Sequence, residues 1–154
     1  MAAPLKLFRL GSQDRPVWDG AGAARYGGRW NPPGTAVIYA SGSQSLAMLE
    51  RLVQRRNLGA TLLVAADAPA GIAIEDLMQH PPANWRALAS PEAAAAGGAW
   101  LAACRTALLR VPSALVPREA NYLINPAHPE AKKIAVGSPE PLTWDLRLFG
   151  LPRP

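Results

Sequence analysis

The sequence predicts one α+β domain, and three observations carry that expectation. Apolar runs of strand length and helical stretches follow one another in mixed order, without a regular βαβ rhythm. The chain has 154 residues, enough to bury one sizeable core, and no internal repeat or linker divides it. Its 16 prolines are roughly twice the usual share. Proline lacks an N–H and fixes φ, so short elements joined by ordered loops are expected.

Lys6 to Leu10 reads as a first strand by its alternating character. Gly11 to Gly34, rich in Gly, Asp, Asn and Pro, reads as a long structured loop, a feature that is uncommon and usually functional. Ala36 to Ala40 is a short strand. Ser41-Gly42-Ser43-Gln44 fits a capping box with Ser41 at the cap, starting a helix to about Arg56 that Asn57 and Gly59 end. On it Leu46, Leu49 and Val53 share a face, Glu50 falls among them, and Arg51, Gln54 and Arg55 point outward. Thr61 to Ala65 is a third strand. Ile74 to Met78 and Ala93 to Cys104 read as short helices, the second interrupted by Gly97-Gly98. Leu108 to Val116 is a strand broken at Pro112. Asn121 to Ile124, Lys133 to Val136 and Thr143 to Leu148 are further strands.

Apolar residues make up 49% and charged residues 18%, a globular composition. The lone Cys104 excludes an internal disulfide and reads as a small hydrophobe rather than a nucleophile. No Cys/His spacing suits a metal, so no metal site is expected. The N-terminus is too short and too soon polar for a signal sequence, and no apolar run approaches a membrane span. A cytoplasmic protein is therefore expected. The net charge of +5 comes from dispersed arginines without a basic block, which gives weak support to a nucleic-acid-binding module.

Three features carry potential chemistry. Glu50 on an apolar helix face must be paired or neutralised. A site carboxylate, a buried salt bridge with a nearby arginine and a helix turned to let it reach solvent all remain open. Residues 25–34, Arg-Tyr-Gly-Gly-Arg-Trp-Asn-Pro-Pro-Gly, combine glycines that admit a close ligand with arginines that fork onto phosphate; the alternative is a rigid loop with Trp30 in the core. Tyr39 fits either the core or a ligand platform. In residues 121–129, Asn121 and Asn125 can bridge loops, and His128 sits among turn residues. No Ser or Cys partner for either histidine supports a hydrolase triad.

Taken together, residues 25–34, Tyr39, Glu50, Val111-Pro112-Ser113, residues 121–129 and Asp145-Leu146-Arg147 resemble the RES domain, in order from about Phe8 to Leu148. That family is named for an arginine, a glutamate and a serine, here Arg29, Glu50 and Ser113. The resemblance implies one RES domain over residues 1–154, with a split mixed sheet like the ADP-ribosyltransferase core. It implies a toxin that degrades NAD⁺ at the nicotinamide–ribose bond, by hydrolysis or, in some members, with inorganic phosphate as co-substrate. ADP-ribose transfer to a protein is the alternative. The implied partner is an Xre-like helix-turn-helix antitoxin that covers the active site, and NAD⁺ is a substrate rather than a cofactor. Glu50 would stabilise the developing sugar cation, Tyr39 would stack on nicotinamide and Arg29 would hold phosphate or ribose. Ser113, with Asn121 or Asn125, would anchor the phosphate-ribose portion; Arg9 and Trp30 are further candidates for the pocket.

Overall fold

Eight strands share one sheet in a computed structural model that describes residues 2–54 and 58–150. The strands are β1 Leu5–Ser12, β2 Ile38–Ser41, β3 Thr61–Ala68, β4 Ile74–Asp76, β5 Leu108–Pro112, β6 Ala120–Ile124, β7 Ala135–Val136 and β8 Glu140–Pro141. Their order is β4-β5-β6-β2-β1-β3-β7, with β8 also on β3; β4 and β5 run parallel and the other pairs antiparallel. The sheet is therefore mixed, and it is also split. β1 pairs with β3 along its whole length, from Leu5–Ala68 to Ser12–Thr61, yet meets β2 only at Phe8–Ser41. No other register position joins β1 and β2, and the cleft described below is lined from both strands.

Among the described residues there are three α-helices: α1 Ala21–Tyr26, α2 Gln44–Gln54 and α3 Pro91–Ala103. α2 packs across β1 and β2, bridging the split. On one side of the molecule Leu7, Ile38, Leu108 and Ile124 form a core cluster; on the other, Trp30, Trp100, Leu109, Val111 and Leu123 form a second. Burying each of these large apolar side chains contributes about 1.5–3 kcal/mol before chain entropy is charged against it.

Several expectations are corrected. The 11–34 loop holds the end of β1 and all of α1, whose six residues show no apolar stripe to reveal them. Ile74 to Met78 is not a helix: Ile74–Asp76 pairs with Leu108–Arg110, and the Asp76 carboxylate accepts from Met78 N to end the strand. Gly97-Gly98 does not interrupt α3. A Cβ at Gly97 would lie 1.6 Å from the Trp30 carbonyl oxygen, so these glycines admit a backbone rather than break a helix. β5 stops at Pro112, and Thr143 to Leu148 is not a strand but leads into a 3₁₀ turn, Leu146–Phe149. The cap of α2 is Ser43, whose hydroxyl accepts from Leu46 N at 3.1 Å, rather than Ser41. Its expected end at Arg56 and Asn57 lies outside the described residues.

Candidate active site

A cleft of about 970 Å³ opens at the split in the sheet. Its walls come from β1 (Phe8, Arg9), β2 (Tyr39, Ser41), α2 (Glu50, Arg51), the Gly27–Trp30 segment and the residues after β5. The sheet register explains why distant residues meet here. Ser41 is opposite Asn121, and Asn121 is opposite Val111, so these positions form one row across the sheet with Ser113 just beyond it. Glu50, on the helix over that row, reaches down to it.

Glu50 Oε1 accepts hydrogen bonds from Ser113 Oγ at 2.9 Å and Asn121 Nδ2 at 2.6 Å. The Asn121 amide is itself oriented by Ser41 Oγ, which donates to its Oδ1 at 2.7 Å. Ser113 Oγ accepts from the backbone N–H groups of Leu115 and Val116, both at 3.1 Å. Among the described residues Glu50 forms no salt bridge; neutral donors fix one oxygen, and the partly exposed carboxylate lines the cleft. Nor is its helix face a core face. Leu46 is buried, but Leu49 and Val53 are 45% and 58% exposed, so the inner face runs through Leu46, Ala47, Glu50 and Arg51.

Opposite in charge are five arginines that line the cleft, Arg9, Arg15, Arg29, Arg51 and Arg86; Glu50 is its one acidic lining residue among the described residues. None of the five joins a salt bridge among the described residues. Much of the basic excess thus faces a pocket. Arg9 donates from Nε to Val17 O at 2.6 Å and from Nη1 to Tyr39 O at 2.8 Å. Burial lowers its pKa, helped by the charge of Arg51 and opposed by Asp19. Arg29 donates from Nη1 to Trp85 O at 2.8 Å and to Ala87 O, which pins the 81–89 loop at the cleft mouth.

Tyr39 closes the arginine wall from behind. Its hydroxyl donates to Asn31 Oδ1 at 2.6 Å and accepts from Trp30 N at 3.1 Å. A Cβ at Gly28 would stand 2.7 Å from that hydroxyl, so glycine is what allows the loop to lie against the ring. Burial pushes the Tyr39 phenol well above its ordinary range, and the group stays neutral.

The cleft brings together Arg9, Arg29, Tyr39, Glu50 and Asn121 as expected site residues. Three others sit differently. Ser113 is wholly buried and does not line the cleft; its hydroxyl donates to Glu50 and accepts from two backbone N–H groups. Asn125 lies at the far end of β6, where its Oδ1 accepts from Ala127 N; it does not line the cleft. The Trp30 indole is 2% exposed and stacks on Trp85 at 6.2 Å, so the ring belongs to the core although the residue borders the cleft. Ser41, expected as a helix cap, and Arg51, expected to point outward, also line the cleft. Asn31 was missed from sequence; its place inside the 25–34 motif was the signal that could have found it.

His128 Nδ1 accepts from Glu130 N and serves a turn. Among the described residues no group of three His, Cys, Asp or Glu side chains could hold a metal, and no helix is long and apolar enough to cross a membrane.

Comparison with known proteins bears on this geometry. Residues 6–145 match the RES domain. The "Prs ADP-ribosylating toxin" of Sphingobium sp. (strain YBL2) is 40% identical over 137 residues, covering 84% of this chain and 85% of that protein. A "Toxin Res" of Yersinia enterocolitica is 39% identical over 135 residues, with 83% and 86% covered. Among solved structures, a chain of the M. tuberculosis MbcT–MbcA toxin–antitoxin complex has the same fold, with a TM-score of 0.71 and 22% identity, covering 91% of this chain and 85% of that one.

Proposed function

This chain belongs to the RES-domain family, and from that membership we propose that it is the toxin of a toxin–antitoxin pair that cleaves NAD⁺ at the nicotinamide–ribose bond. The observation that carries the reading is a carboxylate held by neutral donors in a cleft whose other charged lining residues, among the described residues, are all arginines. Cleavage passes through an oxocarbenium-like state, as in glycoside hydrolysis. The C1′–N bond breaks with its electron pair going to nicotinamide, which leaves neutral. Water or inorganic phosphate then bonds C1′, and water releases a proton. A fixed anion stabilises the sugar cation more than the ground state, which is the condition for catalysis. Glu50 supplies that anion, with Oε1 held from behind and Oε2 free of bonds to the described residues.

The arginines take the diphosphate, since a guanidinium fork matches phosphate oxygens better than an ammonium does. Arg29 holds phosphate or ribose oxygens, and the Tyr39 ring stacks on nicotinamide. Leu88, Val53 and Leu115 stand exposed at the cleft mouth, a rim that an Xre-like antitoxin would bury in covering the site. The reaction takes place in the cytoplasm, where NAD⁺ is the substrate and no further cofactor enters.

Purified protein incubated with NAD⁺, with and without inorganic phosphate, tests the reading by release of free nicotinamide. No release under either condition rejects it. A second reading, ADP-ribosyl transfer to a protein, is favoured by the name of the Sphingobium relative. Labelled NAD⁺ in a cell lysate separates the two: a discrete labelled protein band supports transfer, while label confined to small molecules supports free cleavage.

A further inference from the structure

Arg51 follows Glu50 on α2 and lines the same cleft. Its Nε is buried and has no hydrogen-bond partner among the described residues. It shares the cleft with Arg9, whose Nε and Nη1 are tied to backbone carbonyls that leave its charge uncancelled. Burial lowers the pKa of both; the charge of Arg51 lowers that of Arg9 further, while Asp14 opposes the shift for Arg51 and Asp19 for Arg9. Two desolvated like charges weaken a fold unless an anion sits between or beside them. A buried, unpartnered cation that lines a cleft is a candidate contact for an anionic ligand.

We propose that Arg51 and Arg9 together form a subsite for a phosphate group beside Glu50. This rests on the NAD⁺ reading and deepens it: successive residues of one helix then supply the carboxylate for the ribose and the guanidinium for a phosphate next to that ribose. The phosphate comes from the dinucleotide itself or from free inorganic phosphate, and binding distinguishes these sources.

Calorimetric titration of wild type, Arg51→Gln and Arg51→Lys with ADP-ribose, inorganic phosphate and nicotinamide riboside is the test. Arg51→Gln is expected to weaken a phosphate-bearing ligand about tenfold or more, the worth of a charge-assisted hydrogen bond, with Arg51→Lys between it and wild type. Loss for ADP-ribose assigns the subsite to the dinucleotide; loss for inorganic phosphate alone assigns it to the free anion. Nicotinamide riboside, which lacks phosphate, should bind as before. Without ligand, Arg51→Gln should melt no lower than wild type, because a repulsion has been removed. The proposal is overturned by wild-type affinity of Arg51→Gln for both phosphate ligands, by equal loss of all three ligands, by a lowered melting temperature, or by a wild-type protein that binds neither phosphate ligand. Nicotinamide release by Glu50→Gln is read separately: an unchanged rate there defeats the NAD⁺ reading without touching the phosphate affinities.

Discussion

The two charged walls of the cleft are built on opposite plans. Glu50 is buttressed by neutral donors, Ser113 and Asn121, and Ser41 orients one of them. The arginine wall has no such neutralising design: Arg9 and Arg29 are tethered through backbone carbonyls, and none of its members meets a carboxylate among the described residues. A salt bridge between the walls would have stabilised both and left neither for a ligand. Neutral donors fix geometry without cancelling charge, and carbonyls do the same for cations. The chain thereby keeps both charges available, at a cost in stability; under the proposed function they serve a molecule with a developing cation at one end and phosphate at the other.

The sharpest way to break this contrast is Glu50→Gln, which keeps shape and removes charge. Nicotinamide release is expected to fall by about a hundredfold or more, the usual worth of a preorganised electrostatic contact in a transition state. Stability should move little, because Ser113 and Asn121 can still donate to the amide oxygen. A wild-type rate would show that the negative charge has no part in the chemistry.

A smaller effect is expected from Ser113→Ala, which leaves the charge and loosens its support. Glu50 loses one donor, and the N–H groups of Leu115 and Val116 lose their acceptor. Unsatisfied buried groups cost about 1–3 kcal/mol each, so denaturant unfolding should register a loss of at least about 1 kcal/mol. Turnover should fall about tenfold, less than for Glu50→Gln, since Asn121 still holds Oε1. Because Ser113 does not line the cleft, the fall is expected in kcat. A rise in KM at unchanged kcat would instead make Ser113 a substrate contact.

The same contrast explains what the sequence made legible. Glu50 stood out because a carboxylate among apolar residues is a local anomaly, and the glycine–arginine loop because glycine and arginine are unusual together. The alternating β1 and the short apolar run of β3 were readable for the same local reason. Arg51 was not, since helical periodicity assigns one inner face and α2 presents a broader one, spanning a split that only the β1–β2 register reveals. The role of Ser113 was hidden likewise: 63 residues separate it from Glu50, and its hydroxyl is committed by a turn after β5. Gly97-Gly98 read as a helix break because the Trp30 backbone that fills their space comes from far away in sequence. The three-residue β4 carries too short a pattern to distinguish strand from helix, and its pairing with β5 decides the matter.

Tyr39 offers the gentlest probe, because it couples the arginine wall to a neutral phenol. Its carbonyl holds Arg9, while its hydroxyl holds Asn31 and Trp30. Burial raises the folded-state pKa, so an unfolded chain releases this proton more readily than a folded one. The stabilising contribution is therefore complete below about pH 10, where an unfolded tyrosine ionises, and is progressively lost as pH rises from there toward the higher folded value. Tyr39→Phe should lower stability near neutral pH by about 1 kcal/mol, through loss of the bond to Asn31 and of the acceptor for Trp30 N. It should also flatten the alkaline decline, so that urea unfolding at pH 8 and pH 11 differs less for the variant than for wild type. Equal alkaline slopes would mean that Tyr39 ionises as easily in the fold as outside it, and that the arginine wall is not closed from behind by a buried phenol.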